Sequence, residues 1–421
     1  MPEPRITVPL DDIDLSLPEF WLAGREWRDA AFRTLREQAP VRFTEERVLE
    51  DSRIQPGPGY WSLTRYEDIW HVSRNPQLFC SGKGSNIGDM PVEINEFFGS
   101  MINMDDPKHF RLRSIVSKGF TPKEVAKVEE YVKTKATSIV DDLLERFPDG
   151  SCDFVTEVAA PLPLKIICEM MGIPEADEPQ IFAWTNTILG IGDPEYGTTL
   201  DELMMAALQM FQYAQQLGED RLANPKDDIT SVMMHAVVDG ERLTTQEFGS
   251  FFILLVVAGN ETTRNAISHG LKALTDDPDQ RAIWWDEFDG HTRTAVDEIV
   301  RWATPVIHFR RTATEDTSLS GQPIAAGEKV VMWYPSANRD PAKFDHPYDF
   351  DVRRDPGAQM GFGAGGPHFC LGANLARREI AVMFRELRTR LPGIRATGEP
   401  DYLQSAFING IKRMPCAWKG V

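Results

Sequence analysis

The residues best placed to do chemistry surround one cysteine. Cys370 closes the segment Phe362-Gly-Ala-Gly-Gly-Pro-His-Phe-Cys370-Leu-Gly372 and is followed at once by Ala-Asn-Leu-Ala-Arg-Arg-Glu-Ile, a helix-forming run. Gly363, Gly365 and Gly366 let the backbone turn tightly and approach a flat partner without Cβ clashes. The start of the following helix aims backbone N–H groups and the positive end of its dipole at the Cys370 sulfur, which favours the thiolate. No second Cys or His stands at metal-finger spacing, so a sulfur held this way suits axial ligation of a haem iron. A buried, unreactive thiol is the other reading of a lone cysteine.

Three further groupings carry chemistry. Ala258-Gly259-Asn260-Glu261-Thr262-Thr263 ends an apolar run, and Ala258 and Thr262, four apart, share a helix face. Small residues there admit a flat cofactor or a substrate, Thr262 could hold a water or oxygen, and Glu261 could relay protons; a capped helix kink is the plainer alternative. Glu298-Ile-Val-Arg301 places opposite charges three apart among apolar neighbours, with Arg354 a candidate third partner because a buried pair needs more than itself. A surface ion pair is the usual reading of that spacing. His109 and Arg113, four apart, with Arg311 and His368, are donors from separate segments that could converge on an anionic ligand such as the two propionates of a haem.

The elements that must position these groups are mostly helical. Thr121 to about Leu274 reads as helices, with Pro122 and Pro174 near helix starts and Asp227-Asp228 before another, and a further helix should run from near Leu371 to about Leu391. Pro40-Val-Arg-Phe-Thr and Gly59-Tyr-Trp-Ser-Leu-Thr read as strands, and Thr317 to Tyr334 as small hairpins around Gly321 and Gly327. Ser81 to Gly99 reads as an irregular, mobile loop over a pocket. The expected architecture is one large domain over 1–421, mainly α with a small β component: a mixed α/β part (1–105), then a helical part (106–421) carrying the cysteine loop (362–372).

Composition bounds the rest. Five scattered cysteines argue against a disulfide framework and for a reducing cytoplasm. The N-terminus lacks the apolar core of a signal peptide, and the longest apolar run, Phe251 to Ala258, is far too short to span a bilayer. The net charge of −19 disfavours nucleic acid and anionic membrane as partners. One island runs against it: Lys108, Arg111, Arg113, Lys118, Lys123 and Lys127, opposed locally only by Glu124, which reads as a solvated helix face or as a patch for an acidic protein.

In this order and spacing the motifs resemble the cytochrome P450 family of haem-thiolate monooxygenases, along essentially the whole chain. The resemblance implies that family's fold, haem b as cofactor, and dioxygen as co-substrate. It implies that Cys370 is the proximal iron ligand, that Glu261 and Thr262 are the acid–alcohol pair that supplies protons, and that Glu298, Arg301 and Arg354 form the structural charge triad. It further implies that His109, Arg113, Arg311 and His368 bind the propionates, with Ala258, Phe362 and Gly372 against the cofactor. One departure stands out: the family commonly places the loop phenylalanine seven residues before the cysteine, whereas Phe362 stands eight before Cys370.

Within the family, Phe182-Ala-Trp-Thr-Asn-Thr-Ile-Leu-Gly-Ile-Gly-Asp-Pro and Glu96 to Ile102 are similar to the methyl-branched lipid ω-hydroxylases, which implies terminal oxidation of branched fatty acids, isoprenoids or sterol side chains. Candidates for the substrate wall are Ile87, Met101, Ile102, Leu189, Val257, Ala258, Val306, Phe407 and Ile408. Electrons must come from outside, since the chain has no flavin or iron–sulfur motif. A ferredoxin with its NAD(P)H-dependent reductase is the expected source, docking on the basic island together with Arg377 and Arg378. The rival readings are a steroid-ring or macrolide hydroxylase of the same fold, a peroxide-driven enzyme, and a non-catalytic haem sensor. The last two have no use for the Glu261–Thr262 pair.

Overall fold

The structure is a computed structural model that describes residues 3–47, 56–238 and 240–419. Side chains 92–93, 122–127 and 356 lie outside that description, so Lys123, Glu124 and Lys127 of the basic island do too.

The N-terminal part contributes α1 (Pro18–Leu22), α2 (Arg25–Gln38), β1 (Val41–Thr44), β2 (Tyr60–Leu63), α3 (Tyr66–Arg74), β3 (Phe79–Cys80) and α4 (Val92–Gly99). The helical part follows with α5 (Lys108–Val116), α6 (Pro122–Arg146), β4 (Ser151–Asp153), α7 (Pro161–Met171), α8 (Glu178–Leu189), α9 (Leu200–Ala223) and α10 (Ile229–His235). Next come α11 (Thr245–Asp276), α12 (Pro278–Asp286), α13 (Phe288–Ala303), β5 (His308–Ala313), β6 (Thr317–Leu319), β7 (Gln322–Ile324), β8 (Lys329–Trp333) and α14 (Tyr334–Ala337). The chain closes with α15 (Ala373–Arg390), β9 (Arg395–Ala396), β10 (Asp401–Tyr402), β11 (Ile411–Arg413) and β12 (Pro415–Ala417).

α11 is the axis of the molecule. Its 32 residues extend roughly 48 Å at the helical rise, long enough to cross the whole fold. A capping box, in which Thr244 and Glu247 satisfy each other's backbone N–H groups, starts it. It is apolar on nearly every face because α9, α7, α13, α15 and α4 all pack on it. Helix starts elsewhere use local chemistry: Thr199 and Glu202 box α9, Asp228 caps α10, and prolines occupy the first turns of α7, α8 and α12.

The main sheet runs β1-β2-β8-β5-β3. β1 and β2 pair antiparallel from Val41↔Leu63 to Thr44↔Tyr60, as the alternation predicts. Tertiary packing then sets what lies beside them: β8 joins β2 in parallel and β5 antiparallel, so only β6 and β7 form the small hairpin expected over 317–334. The core has three parts: a large one around α11, one under the sheet with Leu63, Ile69 and Phe79, and one where α1 and α2 meet Trp333.

Two further expectations change. The second half of the predicted 81–99 loop is α4, which seals its C-terminal turn against α11 by Ser250 Oγ donating to the carbonyls of Glu96 and Phe97. The Ala258–Thr263 stretch does not end its helix, for α11 continues through it to Asp276.

Candidate active site

The cysteine loop is pinned from two sides. Gly366 holds φ +78° and lies so close to α3 that a Cβ would meet the Ser73 carbonyl oxygen at 2.2 Å. Ser73 Oγ in turn donates to the Gly365 carbonyl at 2.8 Å. The loop doubles back so that Cys370 N donates to Phe362 O at 3.0 Å, and Phe362 is buried with the Arg377 guanidinium 4.4 Å above its ring. Arg377 then bonds Asp297 of α13, Nη2 to Oδ1, at 2.8 Å. The extra residue in the loop is therefore accommodated with Phe362 inward.

Gly372 is the N-cap of α15, and the N–H groups of Gly372 and Ala373 bond the Cys370 sulfur. These donors favour the thiolate, as expected, and so do the charges of Arg113 and Arg377. Burial nevertheless outweighs them and pushes the thiol above its ordinary range.

Across from the loop, Ala258 is exposed in mid-helix although Val256 and Asn260 to Glu261 around it are fully buried. Thr262 Oγ1 donates to Ala258 O at 2.8 Å, so the two share one face as their spacing predicts. Glu261 is buried and turned elsewhere: one carboxylate oxygen takes a hydrogen bond from Arg264 Nη2 and another from Asn265 Nδ2 at 3.0 Å. Its Oε2 and both side-chain polar atoms of Asn260 are buried without a partner.

The four predicted anion-binding groups do converge. The rings of His109 and His368 lie 4.3 Å apart between centroids, and Ser81 Oγ is 3.0 Å from His368 Nε2. Arg113 Nη2 donates to Phe369 O at 2.6 Å, directly before the cysteine. Arg311 is buried and donates only to the neighbouring carbonyl of Arg310; among the described residues no carboxylate pairs with it. His109 Nε2 is buried and unpartnered. Burial, then the charges of Arg311, His109 and Arg113, press His368 down to about 2. Apart from Asp106, 3.3 Å from His109 Nδ1, no carboxylate among the described residues pairs with these donors; they fit a ligand that carries carboxylates, and the exposed slot at Ala258 fits a flat one.

The charge triad is complete. Arg301 Nε and Nη2 each donate to Glu298 at 2.7 Å, and Arg354 Nε adds a bond to Glu298 Oε2 at 3.1 Å. Arg301 also reaches the carbonyls of Asn338, Pro347 and Asp349. A fully buried pair is tolerable because every remaining donor is used, and it ties α13 to the segment that leads into the cysteine loop.

The predicted wall is scattered more widely. Met101 and Ile408 are buried, while Ile102, Leu189, Val257, Val306 and Phe407 are half-buried. Val306 bridges Ile408, which brings those two together, and Val257 with Ala258 is on α11. Ile87 packs on the α1–α2 cluster, and Phe407 stands edge-on to His308 and Phe309.

The basic island is weaker than its sequence. Lys108 pairs with Glu96, Arg111 with Glu247 and Glu241, Arg377 with Asp297 and Arg378 with Glu129, all acids from distant segments. Sequence reasoning missed Arg264, although its i,i+3 spacing from Glu261 was available as a signal, and Ser73, which nothing local marks.

Among the described residues no group of three His, Cys, Asp or Glu could hold a metal ion, and no helix is long and apolar enough to cross a membrane. A single sulfur under a long helix, beside unpaired cations, is the arrangement of a haem-thiolate protein. The family model "Cytochrome P450" matches residues 291–387. The chain is 53% identical over 415 residues to the methyl-branched lipid omega-hydroxylase of Mycobacterium tuberculosis, covering 99% of this chain and 96% of that one. It is 43% identical over 368 residues to the steroid C26-monooxygenase of Rhodococcus jostii, covering 86% and 76%. A Mycobacterium marinum cytochrome P450 solved in complex with pseudoionone superposes with a TM-score of 0.91 at 44% identity, over 98% of this chain and 99% of that one. This chain belongs to the cytochrome P450 family: it is a haem-dependent monooxygenase.

Proposed function

We propose that this enzyme hydroxylates the terminal carbon of methyl-branched lipids with dioxygen, drawing electrons from a ferredoxin and its NAD(P)H-dependent reductase in the cytoplasm. The identity of 53% over nearly the full length of a methyl-branched lipid omega-hydroxylase is the observation that carries the substrate class.

Haem, when bound, supplies the oxygen activation and C–H oxidation that no side chain performs. Cys370 is the residue that holds its iron, and the loop glycines let the backbone come close. Arg113 and Arg311 hold its two carboxylates with hydrogen bonds between opposite charges, and His109 and His368 add neutral N–H donors. Ala258 leaves the space a flat ring needs, and Phe362 and Gly372 close the loop side. Thr262 holds a proton donor over the cofactor face, and Glu261 carries protons inward; to do so it must leave Arg264. Glu298, Arg301 and Arg354 keep the cysteine loop in register. Met101, Ile102, Val257, Val306 and Ile408 offer a chain end an apolar surface from which water is excluded, with Ile87, Leu189 and Phe407 further out. Residues 1–421 act as one catalytic domain. The ferredoxin docks near Lys118, where, among the described residues, the island keeps a charge without an acidic partner.

A steroid substrate is the second reading, favoured by the 43% identity to a steroid C26-monooxygenase. The absorption spectrum of the reduced, carbon-monoxide-bound protein tests the ligand: a strongly red-shifted Soret band supports Cys370, and its absence refutes it. Titrating the oxidised protein with a methyl-branched fatty acid and, separately, a sterol then separates the substrates by which one drives the high-spin shift.

A further inference from the structure

The cationic groups discussed so far face the cysteine loop. A second set stands apart from it, where α2 meets the C-terminal end of α13 and the loop after α14. Arg25, Arg28 and Arg339 line a cleft there together with Trp302, and Asp29 is the only carboxylate among its lining residues. Three positive charges against one negative leave an excess of two in a partly desolvated place, which is costly unless something compensates.

The donors are not used up. Arg339 is 3% exposed, spends Nη2 on the Trp302 carbonyl at 3.0 Å, and has Nε 3.1 Å from Asp29 Oδ1 without the alignment of a hydrogen bond. Arg25 Nη1 and Arg28 Nε are likewise buried and unpartnered, and neither residue pairs with a carboxylate among the described residues. The Trp302 ring backs the cleft, with the Arg25 guanidinium 4.4 Å and the Arg339 guanidinium 5.0 Å from its centre. Burial and mutual repulsion hold the neighbouring His269 neutral, down to about 3, so it adds no charge, while Tyr402 and Asp276 act on Arg25 only from a distance. The cavity between these groups is about 20 Å³, the room of a single water-sized particle.

We propose that the Arg25–Arg28–Arg339 cleft is a binding site for one small inorganic anion of halide size. The guanidiniums supply several N–H donors around one cleft, and a monatomic anion accepts from any direction, so it matches a cavity whose donors come from α2 and the loop after α14. The bound anion then cements α2 to the end of α13, the helix that carries the Glu298–Arg301 pair.

Crystals of the haem-loaded enzyme grown in bromide test this by anomalous diffraction, with a peak expected within hydrogen-bond reach of the three guanidiniums. In solution, chloride replacing gluconate at constant ionic strength should raise the unfolding midpoint saturably, and Arg28→Gln should abolish that rise. If Arg28→Gln fails to fold, Arg28→Lys, which keeps the charge but loses the planar fork, should weaken the halide response at least several-fold. No bromide peak in the cleft, or the same halide response in wild type and variant, would overturn the proposal.

Discussion

The Glu261 carboxylate is held by Arg264, one turn further along α11, and points away from Thr262, whose hydroxyl bonds back to the Ala258 carbonyl. The two residues that sequence places side by side are therefore not joined in this state. Were Glu261 to deliver protons as proposed, it would have to exchange one partner for another, with Arg264 setting how tightly it is held.

Thr262→Ala removes a hydroxyl that bonds only within its own helix, so folding should change little, within about 0.5 kcal/mol for a site of this kind. Electron use should instead come apart from product formation, read as NAD(P)H consumed per molecule hydroxylated, with a rise of about tenfold or more in that ratio on the usual scale of proton-transfer catalysis. Unchanged coupling would remove Thr262 from the relay.

Arg301→Ala should cost about 3–5 kcal/mol, because it strands the buried Glu298 charge. The purified variant should unfold at a much lower temperature and carry little haem, measured as the ratio of Soret to protein absorbance. A well-folded, fully loaded variant would show that the triad does not hold the loop.

Gly366→Ala meets both a positive φ and the Ser73 carbonyl oxygen. Strain of about 1–3 kcal/mol is expected from the backbone alone. Thermal melts should register it, and Gly398→Ala, where the nearest contact is a proline side chain at 3.2 Å and φ is ordinary, should be milder.

Glu379 gives a pH signature. It is buried on α15 with Oε2 unpartnered, and desolvation raises its carboxyl to about 8. The folded state then holds a proton that the unfolded chain gives up in the ordinary carboxylate range, so stability contributed by this group is full below that range. It falls as pH climbs toward about 8, by up to about 1.4 kcal/mol per unit. Glu379→Gln should flatten that slope and leave the variant the more stable of the two at pH near 8; parallel melting curves across this range would show that the carboxyl is ionised in the fold.

Much of the site was legible because it is local. Helix periodicity and the Asp228 cap of α10 act within a few residues, as does the turn chemistry of the cysteine loop. The Ala258–Thr262 face and the Glu298–Arg301 pair follow from helical spacing alone. Where reasoning from spacing failed, a remote partner intervened: Glu96, Glu129, Glu241, Glu247 and Asp297 neutralise cations that look free in sequence. The dipole argument at Cys370 had the right donors but omitted burial, which only packing sets.

By itself, then, the sequence determined most of the helices, the β1 and β2 strands, the β6–β7 hairpin and the family, since each depends on neighbours within a few residues or on an ordered set of motifs. The tertiary structure alone decided that β8 inserts beside β2, that Glu261 faces Arg264, and that Arg311 is buried without a counter-ion while Arg301 is buried with one. Those outcomes depend on which distant surfaces meet and how much water they exclude, and the strength of a charge depends on that water more than on the residue that carries it.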